Sequence, residues 1–461
     1  MSVQGVILAA GKGTRMKSEM PKALHPVCGV PMVDLVGRAM RAAGIAAPIV
    51  VVGHGADAVR EALAGSEYRF AIQAEQLGTG HAVRMAEDPL RGYDGPVIVA
   101  PGDTPLLDAG VFDALLRVHR EQAAAATVAT SIVSDPTGYG RLIRDPDGRA
   151  VAIVEEKDAT ADEREVREVN AGVYCFDAVT LFRILPQLSS ANAQGEYYLT
   201  DAIRLLASEG AAVATAVFED PSVLVGVNDR RQLAEASDVL RQRTLVRHML
   251  DGVTIIDPET TYIGLDVTIE PDVTIAPMTT LEGVTSIGSG STIGPVSRVK
   301  DSRIGRGCTV LMSFVDRARM ADGSRCGPYA HLRPGADVGD GVKIGNFVEI
   351  KNAVLAPGSQ VSHLSYIGDA EVGAGTNIGA GTITCNYDGF EKHKTTIGAN
   401  AFVGSNSTLV APVTIGDGVV IAAGSTITHD VGEDELGIGR SRQENKPEWA
   451  RQWRERKRKR T

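Results

Sequence analysis

Aliphatic residues recur at six-residue intervals through the second half of the chain, and this period constrains the fold more than any other feature. Ile263, Ile269, Ile275, Leu281, Ile287 and Ile293 keep the step unbroken. Ile397, Val403, Leu409, Ile415, Ile421 and Ile427 keep it again, and Val338, Ile344 and Ile350 form a shorter run. A fixed hexapeptide period is the mark of a β-helix. Each unit is one short strand and a turn, and three units close a triangular coil of about 18 residues. The aliphatic residue fills the inner corner, and the glycine that often follows it permits the turn. Cys308 and Cys326 are one such coil apart. They are expected to stack about 4.8 Å from each other, as a reduced structural pair or, on the rival reading, as a redox switch. The step fails between Ile378 and Ile397, where Asn386-Tyr387-Asp388-Gly389 carries turn chemistry. Residues 385–396 therefore read as a loop leaving the prism, and such loops carry function more often than their scaffold.

The first half has a different grammar. Short apolar strands at Val6–Leu8, Pro48–Val52, Phe70–Ile72 and Val97–Val99 alternate with helical segments at Pro31–Ala43, Ala56–Ala64 and Gly80–Glu87. This order implies a mostly parallel sheet with helices on both faces, and ligands in such sheets bind beyond the carboxyl ends of the strands. Arg230–Met249 has helical composition without a strand pattern. The expected division is an α/β Rossmann-like domain over residues 1–229, a linking helix over 230–250, and a repeat domain over 251–461. The net charge of −10 argues against a nucleic-acid partner. Five cysteines without a CxxC pair argue against a disulfide framework or zinc site. The first ten residues lack a basic leader, and no stretch reaches about 18 apolar residues, so a cytoplasmic location without a membrane partner is expected.

The first strand runs into Leu8-Ala9-Ala10-Gly11-Lys12-Gly13-Thr14-Arg15-Met16, with Pro21-Lys22 shortly after. Small residues let backbone N–H groups approach phosphates, and Arg15 and Lys22 add positive charge. The spacing is neither a Walker A loop nor a dinucleotide fingerprint. Asp103, in Gly102-Asp103-Thr104-Pro105, reads alone as a helix cap, and Glu155 and Lys157 read alone as surface charges. The loop string with its downstream Pro-Lys closely resembles the signature of sugar-1-phosphate nucleotidyltransferases. The resemblance implies a UTP and sugar-nucleotide site comprising Leu8, Ala9, Ala10, Gly11, Lys22, Gln73, Gly78, Thr79, Gly102, Asp103, Gly140, Glu155, Asn170 and Asn228. Within it Gln73 would read the uracil edge, Gly78 and Thr79 would pack beside the base, and Gly140, Glu155 and Asn170 would hold the sugar. Asp103 and Asn228 would bind Mg²⁺, and Arg15 and Lys22 would act in catalysis.

His363 lies in Ser362-His363-Leu364-Ser365-Tyr366-Ile367-Gly368-Asp369. A lone histidine is usually structural. This one sits in a scaffold of small polar residues, within a few coils of Arg333, Lys351, Tyr366, Asn377 and Lys392. The strings His331–Ala336, His363–Asp369, Asn377–Gly381, Asn386–Gly389, Phe402–Ser405 and Ile421–Gly424 resemble the bacterial bifunctional uridylyltransferases/N-acetyltransferases of UDP-N-acetylglucosamine synthesis. The resemblance covers nearly the whole chain and implies a left-handed β-helix. It makes His363 the general base, an imidazole suiting that task near neutral pH, with Asn386 holding or polarising the reacting groups. Arg333, Lys351, Tyr366, Asn377 and Lys392 would bind glucosamine 1-phosphate. Ala380, Asn386, Tyr387, Ser405, Ala423 and Arg440 would line an acetyl-CoA groove. A homotrimer and a role in cell-envelope synthesis follow from the same likeness. Past Arg440 the matches thin out. Residues 454–460 read as a solvated, disordered basic tail, with Trp449 and Trp453 spaced to pin a short helix onto a neighbour. Two other readings stand beside this one: a nucleotidyltransferase whose prism only assembles or regulates, and a regulatory subunit of nucleotide exchange.

Overall fold

The computed structural model describes residues 2–459, so Arg460 of the basic tail lies outside the described residues. The chain divides into two compact units at Arg243/Thr244, and a helix, Arg230–Leu250, runs through the division.

The first unit is built on a nine-stranded sheet. Its strands are β1 (Gln4–Ala9), β2 (Ile49–Val52), β3 (Arg69–Ile72), β4 (Pro96–Pro101), β5 (Ala126–Ile132), β6 (Arg141–Arg144), β7 (Ala150–Val154), β8 (Glu168–Asp177) and β9 (Val213–Phe218). The order is β9-β5-β8-β4-β1-β2-β3, with β6 paired to β8 and β7. Strand β1 is parallel to both neighbours, whereas β8 runs antiparallel to β4 and β5. Successive residues of the central strands enter two separate cores. Val6, Val51 and Val99 pack on one side, and Ile7, Val50 and Ile98 on the other, all fully buried. A strand covered on both faces needs an unbroken apolar run, which is what the sequence shows there. The register sets the ends of β1 and β4 side by side, with Gly102 N–H donating to Leu8 O at 2.9 Å. The glycine-rich loop and Asp103 therefore leave the sheet together.

The second unit is a stack of parallel two- to seven-residue strands. The inner column of one face runs Ile275, Ile293, Val310, Cys326, Ile344, Val361. Almost every corner aliphatic is buried in one continuous core; Ile269 is only partly covered. Below the aliphatic corners runs a second buried row of small hydroxyl residues. Thr279 Oγ1 donates to Ala276 O at 2.7 Å, Thr285 Oγ1 to Glu282 O at 2.6 Å and Thr382 Oγ1 to Gly379 O at 2.7 Å. These bonds satisfy carbonyls that each turn takes out of the ladder. The glycine after the aliphatic residue serves closeness more than turn conformation. A Cβ on Gly379 would lie 2.5 Å from Val403 O of the next coil.

The expected Cys308–Cys326 stack is not formed. Cys326 pairs in register with Val310, because the coils here have lost one or two residues. Cys308 Sγ instead donates to Ala321 O at 3.1 Å. Both thiols are free and buried, and burial pushes that of Cys326 up to about 12. Between strands Ile383–Cys385 and Thr395–Ile397 the chain leaves the prism as a small hairpin closed by a Tyr387–Lys392 bridge. The basic segment corrects the expectation of a disordered tail, since Trp449–Arg458 is helical. Its two Trp rings stack on each other at 6.2 Å and stay half-exposed.

Candidate active sites

In the first unit a cleft of about 680 Å³ opens over the carboxyl ends of β1 and β4. Leu8 through Arg15, Lys22, Gln73, Gly78, Thr79, Gly102 and Asp103 line it. Gly13 has φ 61°, and a Cβ there would meet Lys22 Cβ at 2.5 Å. Glycine thus lets the loop close down on Lys22. The Lys22 ammonium donates to Asp103 Oδ2 and, at 2.8 Å, to Asn228 Oδ1. Arg15 donates to the same Asn228 oxygen at 2.7 Å. Asn228 is held in turn by its own N–H to Gln232 Oε1, 2.7 Å, and by the Val227 N–H to Asp103 O, 2.8 Å. Four expected site residues thus form one network of two cations and two oxygen donors. Among the described residues no group of three or more His, Cys, Asp or Glu could hold a metal ion. A cation at Asp103 and Asn228 would take its remaining oxygens from a polyphosphate and water, the coordination habit of Mg²⁺. The donor set fits that ion.

Gln73 is buried, and its Nε2 donates to Gly78 O at 3.1 Å and contacts His81 Nδ1 at 3.0 Å. With Nε2 so engaged, Oε1 remains as an acceptor. Gly78 has φ 112°, and a Cβ would fall 2.6 Å from Tyr197 O, so no other residue fits this turn without shifting it. Thr79 acts through structure: its Oγ1 accepts from Leu199 N at 3.0 Å. Gln76, Lys12 and Glu196 also line the cleft and were not anticipated. Only their closeness in sequence to Gln73 and Gly11 signals the first two.

Gly140, Glu155 and Asn170 assemble outside that cleft, in the same unit. Asn170 N–H donates to Gly140 O at 2.8 Å, its Nδ2 donates to Tyr174 OH at 2.7 Å, and a Cβ on Gly140 would sit 3.5 Å from Glu155 Oε2. Burial pushes the Glu155 carboxyl above its usual range, against the hydrogen bond from Thr200 Oγ1 at 3.1 Å. A carboxyl raised in the folded state favours folding when protonated. That stability is present below about pH 4.3 and is lost as pH rises through the raised value. Glu155→Gln should therefore remove this slope from the pH–stability curve and raise Tm near neutral pH. Thermal melts of both proteins across pH 4–8 check this, and parallel curves would refute it.

In the second unit the ladder stacks His363 with the residues expected to line an acetyl-CoA groove. Gly381 N–H donates to His363 O at 3.3 Å, Asn406 N–H to Ala380 O at 2.7 Å and Gly424 N–H to Ser405 O at 2.8 Å. The Arg440 side chain closes the column beside Gly424. Ala380, Ser405, Ala423 and Arg440 thus climb one edge of the prism above His363. Asn346, one coil below, accepts from His363 Nδ1 at 2.6 Å. An amide oxygen facing Nδ1 fixes the proton there and leaves Nε2 as the basic nitrogen. Asn346 was missed from sequence.

The adjoining face holds Arg333, Lys351, Tyr366, Asn386 and Lys392. Arg333 N–H donates to Ile350 O at 2.8 Å, and Lys351 pairs with Gly368. A Cβ on Gly368 would overlap the Tyr366 ring, so glycine makes room for it. Asn386 Nδ2 donates to Tyr366 OH at 3.4 Å and to Asp369 Oδ2. The Lys392 ammonium is held below its ordinary value, first by its contact with Lys351 and by that residue's like charge. Asn377 is not brought to this set within one chain. It lies in the other sheet, between Gln360 and Phe402. Tyr387 sits exposed on the hairpin, its OH donating to Gly389 O at 2.6 Å.

Comparison with known proteins agrees with this two-site reading. The nucleotidyl transferase family profile matches residues 4–222, and the six-repeat bacterial transferase hexapeptide profile matches 394–429. The chain is 51% identical to the bifunctional protein GlmU of Carboxydothermus hydrogenoformans over 97% of its own length and 100% of that protein. It is 50% identical to the bifunctional protein GlmU of Bacillus velezensis over 97% and 98%, and 48% identical to that of Brevibacillus brevis over 97% of each. Among the described residues no helix is long and apolar enough to cross a membrane. At about half identity over nearly the full length of these proteins, the chain belongs to the family of bifunctional GlmU proteins.

Proposed function

We propose that the chain transfers an acetyl group from acetyl-CoA to glucosamine 1-phosphate, then a uridylyl group from UTP to the resulting N-acetylglucosamine 1-phosphate. The UDP-N-acetylglucosamine made would serve cell-envelope synthesis in the cytoplasm. The observation that carries the reading is the presence of two separate sets of chemistry in one chain. The Lys22–Asp103–Asn228 network lies under the glycine-rich loop, and His363 sits at the foot of the Ala380–Ser405–Ala423 edge, its Nε2 without a hydrogen bond among the described residues. A prism that only assembled the protein would need neither His363 nor the Arg333–Lys351–Lys392 cluster.

In the acetyl transfer the sugar amine attacks the thioester carbonyl. The C–N bond forms, the C–S bond breaks, CoA leaves as thiolate, and His363 Nε2 takes the proton that the amine gives up. Arg333, Lys351 and Lys392 hold the sugar phosphate, and Tyr366 and Asn386 line its approach. Because Asn377 stands apart from these within one chain, a complete sugar-phosphate site needs a second copy, which fits a homotrimer.

In the uridylyl transfer a phosphate oxygen of the acetylated sugar attacks the α-phosphorus of UTP, and pyrophosphate departs with the electron pair of the broken P–O bond. No covalent nucleophile is required; positioning and charge neutralisation suffice. Backbone N–H groups from Ala10 to Gly13 face the phosphates, Arg15 and Lys22 neutralise them, and Gln73 Oε1 accepts the imide N–H of uracil. Gly140, Glu155 and Asn170 hold the sugar. Asp103 and Asn228 would hold Mg²⁺, which when bound supplies further neutralisation of the polyphosphate.

The test is product formation by the purified protein from glucosamine 1-phosphate, acetyl-CoA, UTP and Mg²⁺, with each half-reaction also run alone. UDP-N-acetylglucosamine from the full mixture supports both activities. Product only from pre-acetylated sugar would reduce the chain to a uridylyltransferase with a structural prism.

A further inference from the structure

Asp369 stands at the centre of the acetyl-transfer face. Its Oδ2 accepts from Asn386 Nδ2, and its Oδ1 accepts from Asn352 Nδ2 at 2.6 Å. The carboxylates around it are otherwise engaged. Glu349 is taken by Arg333 at 2.6 Å, Glu371 by Lys394 at 2.5 Å and Asp388 by His393 at 2.8 Å. Lys351 and Lys392, close enough to interact with each other, both face the Asp369 charge. Burial works against the Asp369 charge, but the bonds from Asn352 and Asn386 and the charges of Lys351 and Lys392 outweigh it and hold the carboxyl below its usual range.

The backbone supports a role for this side chain. Asp369 has φ 47°, and the residues at the same corner one and two coils below are Asn352, φ 45°, and Gly335, φ 79°. Glycine is the residue of least strain at such an angle, and Gly335 shows that the corner accepts it. An aspartate there contributes through its carboxylate rather than its backbone.

We propose that Asp369 is a positioning residue for acetyl transfer, one that orients the Asn386 amide and balances the Lys351–Lys392 pair. Both oxygens of Asp369 can only accept, so Asn386 must present Nδ2 to it. Asn386 Oδ1, which makes no hydrogen bond among the described residues, is then left as an acceptor for the N–H of the incoming amine. The same carboxylate supplies a negative charge to two crowded ammonium groups, offsetting their mutual repulsion where they would hold a sugar phosphate. Tyr366 OH and the Arg333–Glu349 pair complete the charged and titratable groups of this face. The inference rests on the acetyltransferase reading above.

Two variants test it on the full chain. Asp369→Gly suits the backbone angle and deletes the carboxylate. Asp369→Asn keeps the shape, but its single oxygen can serve only one of the two amides. Both are expected to transfer uridylyl from UTP to supplied N-acetylglucosamine 1-phosphate at the wild-type rate. Acetyl transfer should fall about 10²-fold, since misplacement of a reacting group by about an ångström costs that much. The KM for glucosamine 1-phosphate should rise, and the alkaline limb of the acetyl-transfer pH profile should move down by about one unit as Lys392 loses its anion. Wild-type protein unable to acetylate glucosamine 1-phosphate would remove the underlying reading instead. Wild-type acetylation together with an unmoved KM and alkaline limb in both variants would overturn the role of Asp369. Loss of both activities in both variants would also overturn it, placing Asp369 in the scaffold.

Discussion

Replacing Lys22 with alanine is expected to lower uridylyl transfer by about 10³-fold and to leave acetyl transfer at the wild-type rate. A preorganised donor aimed at developing charge is worth about 10²–10³ in rate. Lys22 occupies such a position and a second one as well. It joins Asp103, at the end of β4, to Asn228, which lies 206 residues from Lys22 in sequence. Without the ammonium, Asp103 and Asn228 present two oxygens to an incoming polyphosphate, and the charge that offsets that repulsion is gone. Arg15 cannot replace it, because its single bond in the network goes to Asn228 from an exposed position; Arg15→Ala should cost about tenfold. Lysine is also hard to substitute, since a planar guanidinium cannot offer the same compact charge between two oxygens, so Lys22→Arg should stay well below wild type. Steady-state rates for each half-reaction decide the matter. A Lys22→Ala enzyme within threefold of wild type in uridylyl transfer would remove this network from the chemistry.

The legibility of the two sites from sequence differed for a physical reason. The hexapeptide row was readable because one residue type repeats at one spacing and that spacing is the geometry of the coil. The Lys22–Asp103–Asn228 network has no such spacing. Its members come together only through sheet register, so resemblance to known enzymes was the only route to it. The buried hydroxyl row was passed over because Ser and Thr are common in any polar segment. Register explains the failures in the prism as well. A uniform 18-residue coil pairs Cys308 with Cys326, whereas the register pairs Cys326 with Val310. Around the acetyl-transfer site the coil has 17 residues: Asn346 to His363, Asn352 to Asp369 and Asp369 to Asn386 are each 17 apart. Stepping by 17 from His363 and Asn386 leads to Asn346, which lies outside every motif, and gives a role to Asp369, which the His363–Asp369 string contains without one.

His363→Ala should lower acetyl transfer by about 10²–10⁴-fold, the usual contribution of a positioned general base. Uridylyl transfer to supplied N-acetylglucosamine 1-phosphate should remain unchanged. The partner residue separates a base from an imidazole that is only structural. Asn346 Oδ1 faces His363 Nδ1 at 2.6 Å, so it fixes both ring orientation and tautomer. Asn346→Ala keeps the imidazole but lets the proton move to Nε2 and the ring turn, and should cost about tenfold. If Asn346 acts only through His363, the double variant should be no slower than His363→Ala alone, because coupled residues are not additive. Asn346→Asp should hold the ring in place while placing a negative charge on it, which favours the protonated imidazole. The acidic limb of the acetyl-transfer profile would then move to higher pH, although the same ring nitrogen is presented. Rates of the four proteins between pH 5 and 9 supply the measurement. Additive losses in the double variant would show that Asn346 acts apart from His363, and an acidic limb that ignores Asn346→Asp would remove His363 as the base.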